Sequence, residues 1–176
     1  MRRVLQGQMP GHLTDEGIRQ AWELSDRLSR EPLERIVSSD LQRALDTARI
    51  VARPHGLEVE PEPLLRERDF GIHTGGPYIK ISQALDPSAE TMQQLAQRAA
   101  DFLNRTVASI RPSSSEPSRI LAVSHGLFLR VLQAVFYGVS VRSVVKMENA
   151  EYRILPLHPG MYFEPLLVEE TGGTAN

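Results

Sequence analysis

Ile120-Leu121-Ala122-Val123-Ser124-His125-Gly126 is the stretch whose reading decides the fold. Four apolar residues in a row fit a strand covered on both faces, as in a parallel sheet with helices on either side. Ser124-His125-Gly126 then turns the chain into a helix, with Phe128, Val131, Leu132, Val135 and Phe136 at inward spacing. The same turn, with Arg130, breaks the apolar window over 120–138, so no membrane span is expected there.

Working outward, the pattern of strand followed by helix recurs. Arg35-Ile36-Val37 reads as a short strand, and Ser38-Ser39-Asp40 as the cap of a helix striped by Leu41, Ala44, Leu45, Ala48, Val51 and Ala52 before Pro54 closes it. Leu57-Glu58-Val59 reads as another brief strand. Before these, Thr14 is an N-cap for a helix with Ile18, Ala21, Trp22, Ser25 and Leu28 inward, ending near Arg30. The strongest helical pattern follows Ser88, with Met92, Leu95, Ala96, Ala99, Phe102, Leu103, Val107 and Ile110. Residues 111–117 read as a polar surface loop, 150–155 and 161–165 as later strands, and 169–176 as a frayed tail. Strands alternating with helices predict an α/β sandwich with a mostly parallel sheet, whose ligands bind beyond the carboxyl ends of the strands.

Composition limits the functions this domain can have. The 176 residues hold 20 Lys and Arg against 22 Asp and Glu, a net charge of −2, 41% hydrophobic residues and no cysteine. A single domain of this size buries roughly 70% of its unfolded surface without a disulfide or structural metal. Without cysteine there is no thiol nucleophile, Fe–S cluster or thiolate zinc site. Interspersed charges give no footprint for nucleic acid. Met1-Arg2-Arg3 is not followed by an apolar run, so neither a signal peptide nor an anchor is read there, and the expected location is the cytoplasm.

Three places could carry chemistry. Arg43 falls in the first turn of its helix, where a guanidinium and the positive helix end could meet a phosphate. From spacing alone a solvated surface arginine is the commoner outcome. His125 follows a buried strand and precedes a helix, which favours function over a hydrogen-bonded turn histidine. Arg66-Glu67-Arg68-Asp69 reads either as a solvated ion-pair cluster or, through Glu67, as a proton donor to a leaving-group oxygen. His12, His55, His73 and His158 have no partner at metal-ligand spacing and are expected at the surface, so no metal site is assigned.

Taken in order, Leu5-Gln6-Gly7, Leu13-Thr14-Asp15-Glu16-Gly17, Ser38-Ser39-Asp40-Leu41-Gln42-Arg43-Ala44, Leu65-Arg66-Glu67-Arg68-Asp69-Phe70-Gly71, Glu90-Thr91 with Arg98, Val123-Ser124-His125-Gly126 and Asn149-Ala150 resemble the histidine phosphatase superfamily, the phosphoglycerate mutase-like proteins. The resemblance implies a three-layer α/β/α sandwich over one domain, 1–176. It implies transfer of a phosphoryl group through a phosphohistidine, with no metal or other cofactor. It casts Arg43 as phosphate-binding, Arg68 and Gly126 as phosphate or substrate contacts, His125 as the second pocket histidine and Glu67 as the general acid. Phe70 stands where a tyrosine is frequent, and His73-Thr74-Gly75 where Trp-Glu-Gly is usual.

Members of that family open with a strand ending in Arg-His-Gly, whose histidine is the nucleophile, and no Arg-His-Gly occurs in this sequence. The expectation is therefore a domain truncated at its start, lacking the first strand and poor in turnover, whose intact parent hydrolyses phosphomonoesters. Weighed beside it are a phosphate-ester or phosphoprotein binding module, a phosphoglycerate mutase-type phosphotransferase, a generic α/β interaction protein and a substitute nucleophile such as His12. The expected partner is a small phosphate ester, and the oligomeric state is not readable from the sequence.

Overall fold

The computed structural model describes residues 4–77, 85–110 and 117–165. The expected tail over 169–176 and all but the last residue of the 111–117 loop lie outside them. Three strands, β1 (Arg35–Ser38), β2 (Val59–Pro61) and β3 (Ile120–Val123), form a parallel sheet in the order β2-β1-β3. Four helices accompany them: α1 (Asp15–Leu28), α2 (Gln42–Ala52), α3 (Met92–Ala108) and α4 (Gly126–Tyr137).

The layers follow from the two-residue period of the strands. Ile36, Leu121 and Val123 face α2 and pack with Ala48 and Ala52, while α1 adds Leu24 and Leu28 against Val51. Val37, Ile120 and Ala122 face the opposite way, into the larger core built by Leu95, Ala99 and Leu103 of α3 with Phe128, Val131 and Val135 of α4. Two helical layers thus enclose the sheet, as expected of an α/β/α sandwich.

Local signals place the helix ends. Thr14 Oγ1 accepts the Gly17 N–H at 3.1 Å, and Asp15 and Glu16 sit at the positive end of α1. Thr91 and Gln94 close α3 with a reciprocal capping box, so the helix starts four residues after Ser88. Gly138, at φ +64°, ends α4 in the left-handed conformation that glycine adopts at least cost.

Several expectations are corrected. The strand predicted at 57–59 lies two residues later, because pairing with β1 sets Ile36 opposite Val59 and Gly56 is still finishing a tight turn. Leu41, not Ser38-Ser39-Asp40, is the N-cap of α2 and makes no side-chain cap bond. Asp40 is instead drawn to the Arg66 guanidinium, whose Nε donates to its Oδ1 at 2.6 Å. Ile18 and Trp22 stay about two-fifths exposed, since the buried stripe of α1 runs through Ala21, Leu24, Ser25 and Leu28. The strands expected at 150–155 and 161–165 do not form among the described residues. A strand exists only with a hydrogen-bonded neighbour, and residues 150–158 border a cavity instead.

That cavity also bounds β3. In the parallel register, Arg119 and Val123 direct their carbonyls to Glu34 and Ser39, so the backbones of Ile120 and Ala122 point away from β1. Among the described residues β3 is a sheet edge.

Candidate active site

The carboxyl ends of β1 and β3 lie side by side, Ser38 opposite Val123, with Ser39 N–H donating to Val123 O at 2.9 Å. The next residues of both strands therefore emerge together. Ser39 Oγ and His125 Nε2 are 2.9 Å apart, and both residues are buried. His125 caps α4, and Arg43 stands in the first turn of α2.

Arg43, Glu67, Arg68, His125 and Gly126 all line one cavity of about 2220 Å³, which continues from this end along β3 toward Glu31 and Pro159. Of the nominated residues, Glu67 meets the amides that follow Gly126, and Arg43 lies near enough to act electrostatically on both Glu67 and His125. Arg43 is not the solvated surface arginine that spacing favoured. Its guanidinium donates to Gly7 O at 2.6 Å and Met9 O at 3.0 Å, tying down the first described loop. Two of its five N–H groups are used in this way, and burial works against its charge while Glu67 supports it.

The 66–69 segment is not a solvated ion-pair cluster either. Arg66 turns to Asp40, while Arg68 is 4% exposed, donates from Nε to Glu90 O at 2.7 Å and lies over the Phe70 ring. Glu67 accepts three backbone N–H bonds: from Arg68 at 2.9 Å, Phe128 at 3.2 Å and Leu127 at 3.3 Å. The amino end of α4, where the sequence reading put a phosphate contact, holds the protein's own Glu67 carboxyl. Gly126 precedes those two amides, and a methyl group added there would meet nothing within 4 Å.

Two titrations are shifted. Burial, the dominant cause, pushes the Glu67 carboxyl up, against the pull of its three amide donors and of Arg43. Burial, then the charges of Arg43 and Arg98, press His125 down to about 3, with Asp40 opposing, so the imidazole is neutral near pH 7. A fixed cation, a neutral imidazole and a carboxyl inclined to hold its proton surround one space. That combination can bind an oxyanion and protonate a departing oxygen.

Three supporting groups had no role assigned from the sequence, although Ser39 and Arg98 stand in the family pattern. Ser39 orients His125, and its place in the Ser-Ser-Asp segment was the available signal. Gln8 donates to Glu67 O at 3.2 Å, and Arg98 reaches the same loop from α3, contacts that no local pattern announces. Of the other histidines, His12 is exposed and 3.4 Å from Asp46, and His158 is exposed. His55 and His73 are half-buried rather than surface residues; the His73 ring accepts the Asp86 N–H, and His55 Nε2 has no partner among the described residues. No group of three or more His, Cys, Asp or Glu able to hold a metal occurs among the described residues.

The fold and this cavity define an α/β/α domain with a cleft lined by Arg43, Glu67 and His125 at the carboxyl ends of parallel strands. The chain belongs to the histidine phosphatase superfamily, branch 1, whose family model matches residues 1–164. It is 32% identical over 152 residues to proteins of Yersinia pestis and Proteus mirabilis named "Probable phosphoglycerate mutase GpmB", covering 78% of this chain and 68% of theirs. Among solved structures, a mycobacterial glucosyl-3-phosphoglycerate phosphatase superposes with a TM-score of 0.74 at 27% identity, over 84% of this chain and 79% of that one. The alpha-ribazole phosphatase of Shigella flexneri gives 0.72 at 26% identity, over 84% and 79%. Bacillus stearothermophilus YhfR gives 0.74 at 25% identity, over 96% and 89%.

Proposed function

We propose that this domain holds the phosphoryl group of a small phosphate monoester between Arg43 and His125, with Glu67 as the acid for the leaving-group oxygen. The observation that carries this reading is the convergence of Arg43, Glu67 and His125 on one cavity at the carboxyl ends of β1 and β3. Arg68 and Gly126 line the same space. The guanidinium supplies fixed positive charge for the equatorial oxygens, the role that Mg²⁺ has in other phosphoryl transfers, so the chemistry fits metal-independent hydrolysis. Glu67, raised by burial, keeps a proton to give to the alcohol as the P–O bond breaks.

The family resemblance assigns the attacking imidazole to an Arg-His-Gly segment, and these 176 residues contain none. We therefore infer that the 176-residue chain binds phosphate esters and turns them over very slowly, since removing the nucleophile from a set that acts as a unit costs several powers of ten. Titration calorimetry with inorganic phosphate tests the binding. Arg43→Ala is expected to weaken it by about tenfold or more, the loss of a charge-assisted pair, and an unchanged affinity overturns the reading. Robust, Arg43-dependent hydrolysis of p-nitrophenyl phosphate by this chain overturns the slow turnover. Interconversion of 2- and 3-phosphoglycerate instead makes it a mutase.

A further inference from the structure

The acid loop is held by a side chain outside the catalytic set. Arg98, on the inner face of α3, has five N–H groups, and all of them have acceptors. Nε donates to Glu90 Oε1 at 2.6 Å and Nη2 to Glu90 Oε2 at 2.9 Å. Nη1 donates to Leu64 O at 2.6 Å and to Arg66 O at 3.1 Å, and Nη2 also reaches Glu67 O at 3.4 Å. The same guanidinium lies over the Phe128 ring, 5.0 Å from its centroid.

These contacts join two elements whose meeting residues, Glu67 and Phe128, lie 61 positions apart in sequence. Three carbonyls of the 64–67 backbone fix the loop that carries Glu67. Phe128, whose N–H binds the Glu67 carboxyl, belongs to α4. Glu90 closes the arrangement: its Oε2 accepts the Asp69 N–H at 3.2 Å, its carbonyl accepts Arg68 Nε at 2.7 Å, and its own N–H donates to Asp69 O at 2.8 Å. Arg98 and Glu90 are both largely buried, with side chains 20% and 12% exposed. A buried pair of this kind is poor evidence for stability, because desolvation offsets the attraction. A planar fork with five donors in fixed directions, however, sets geometry in a way a lysine cannot.

We propose that Arg98, braced by Glu90, is the positioning residue for the acid: it sets the 64–67 backbone against Phe128 so that the Glu67 carboxyl reaches the amino end of α4. The inference rests on the reading of Glu67 as the acid. It predicts that the shape of the guanidinium matters beyond its charge. Arg98→Lys keeps the charge and loses the fork, so the loop relaxes and Glu67 moves toward solvent.

The test follows the Glu67 carboxyl by 13C NMR titration of the ligand-free chain, alongside urea unfolding. In Arg98→Lys the Glu67 midpoint is expected to fall toward the ordinary carboxylate range, as burial is relieved. In Arg98→Ala, millimolar guanidinium is expected to restore the wild-type midpoint. An Arg98→Lys protein that loses only stability, with the Glu67 titration unmoved, overturns the proposal and makes the residue purely structural. If the Arg98 variants do not fold, Glu90→Gln gives the same readout: it loses the charge that holds the fork, and an unmoved midpoint there also overturns the proposal. Because this titration uses no ligand, it is independent of the phosphate affinity that tests the function itself.

Discussion

The Glu67 carboxyl accepts the Phe128 N–H at 3.2 Å, so the proposed acid is seated on the first turn of the helix that His125 caps. Proton donor and pocket histidine therefore share one rigid support. A helix amino end favours an ionised carboxylate, whereas burial favours the protonated acid, and burial prevails. The phosphate binding proposed above would bring a further negative charge to this place and strengthen that outcome.

Glu67→Gln is expected to change the pH dependence of anion binding. Because burial raises the folded-state value for Glu67, the group is neutral below it and becomes a buried negative charge as pH rises through it. Wild-type affinity for sulfate, whose charge is constant over the range, should fall with rising pH, and the Gln variant should be flat. Parallel curves from the two proteins in calorimetric titrations would refute this.

His125 makes the protein sensitive to acid. Its folded-state value of about 3 lies below the ordinary 6.5, so the unfolded chain takes up the proton first as pH falls. The stability held above pH 6.5 is lost progressively as pH falls from 6.5 toward 3. Urea midpoints of His125→Gln should fall less steeply than wild type as pH drops from about 6.5 to about 5.5, above the range where ordinary carboxylates titrate.

Arg43→Lys separates tethering from charge. A lysine ammonium cannot span Gly7 O and Met9 O as the guanidinium does, so about 1–2 kcal/mol of stability should go with the lost bonds. Hydrogen exchange should quicken over residues 5–9 and stay unchanged in α3.

Two glycines should respond in opposite ways. Gly71 has φ +52°, and a methyl group there would stand 2.6 Å from Ser88 C, so Gly71→Ala should cost about 2–4 kcal/mol in thermal or urea unfolding. Gly126→Ala enters open space at the start of α4 and should be neutral or stabilising by about 0.5 kcal/mol. If the two variants unfold alike, the assigned geometry of the acid loop is wrong.

Much of the fold was legible because its signals are local. The apolar run Ile120–Val123 and the stripe of α3 each involve neighbours within a few residues. The Ser-His-Gly turn after β3 likewise marked His125 from adjacent residues alone. What failed depended on distant partners: β2 slid to Val59 because β1 sets its register, and Asp40 left its capping role for Arg66.

The sequence by itself determined the alternation of strand and helix, the family pattern and the identity of Arg43, Glu67, Arg68, His125 and Gly126 as candidates. Only the tertiary structure decided their states, because burial and long-range hydrogen bonds set them. Arg43 became a half-buried tether through Gly7 and Met9, Glu67 a desolvated carboxyl on α4, and Arg98 a partner of the backbone that carries it. Charge, protonation and direction at this site come from residues dozens of positions apart along the chain, and packing alone brings those residues together.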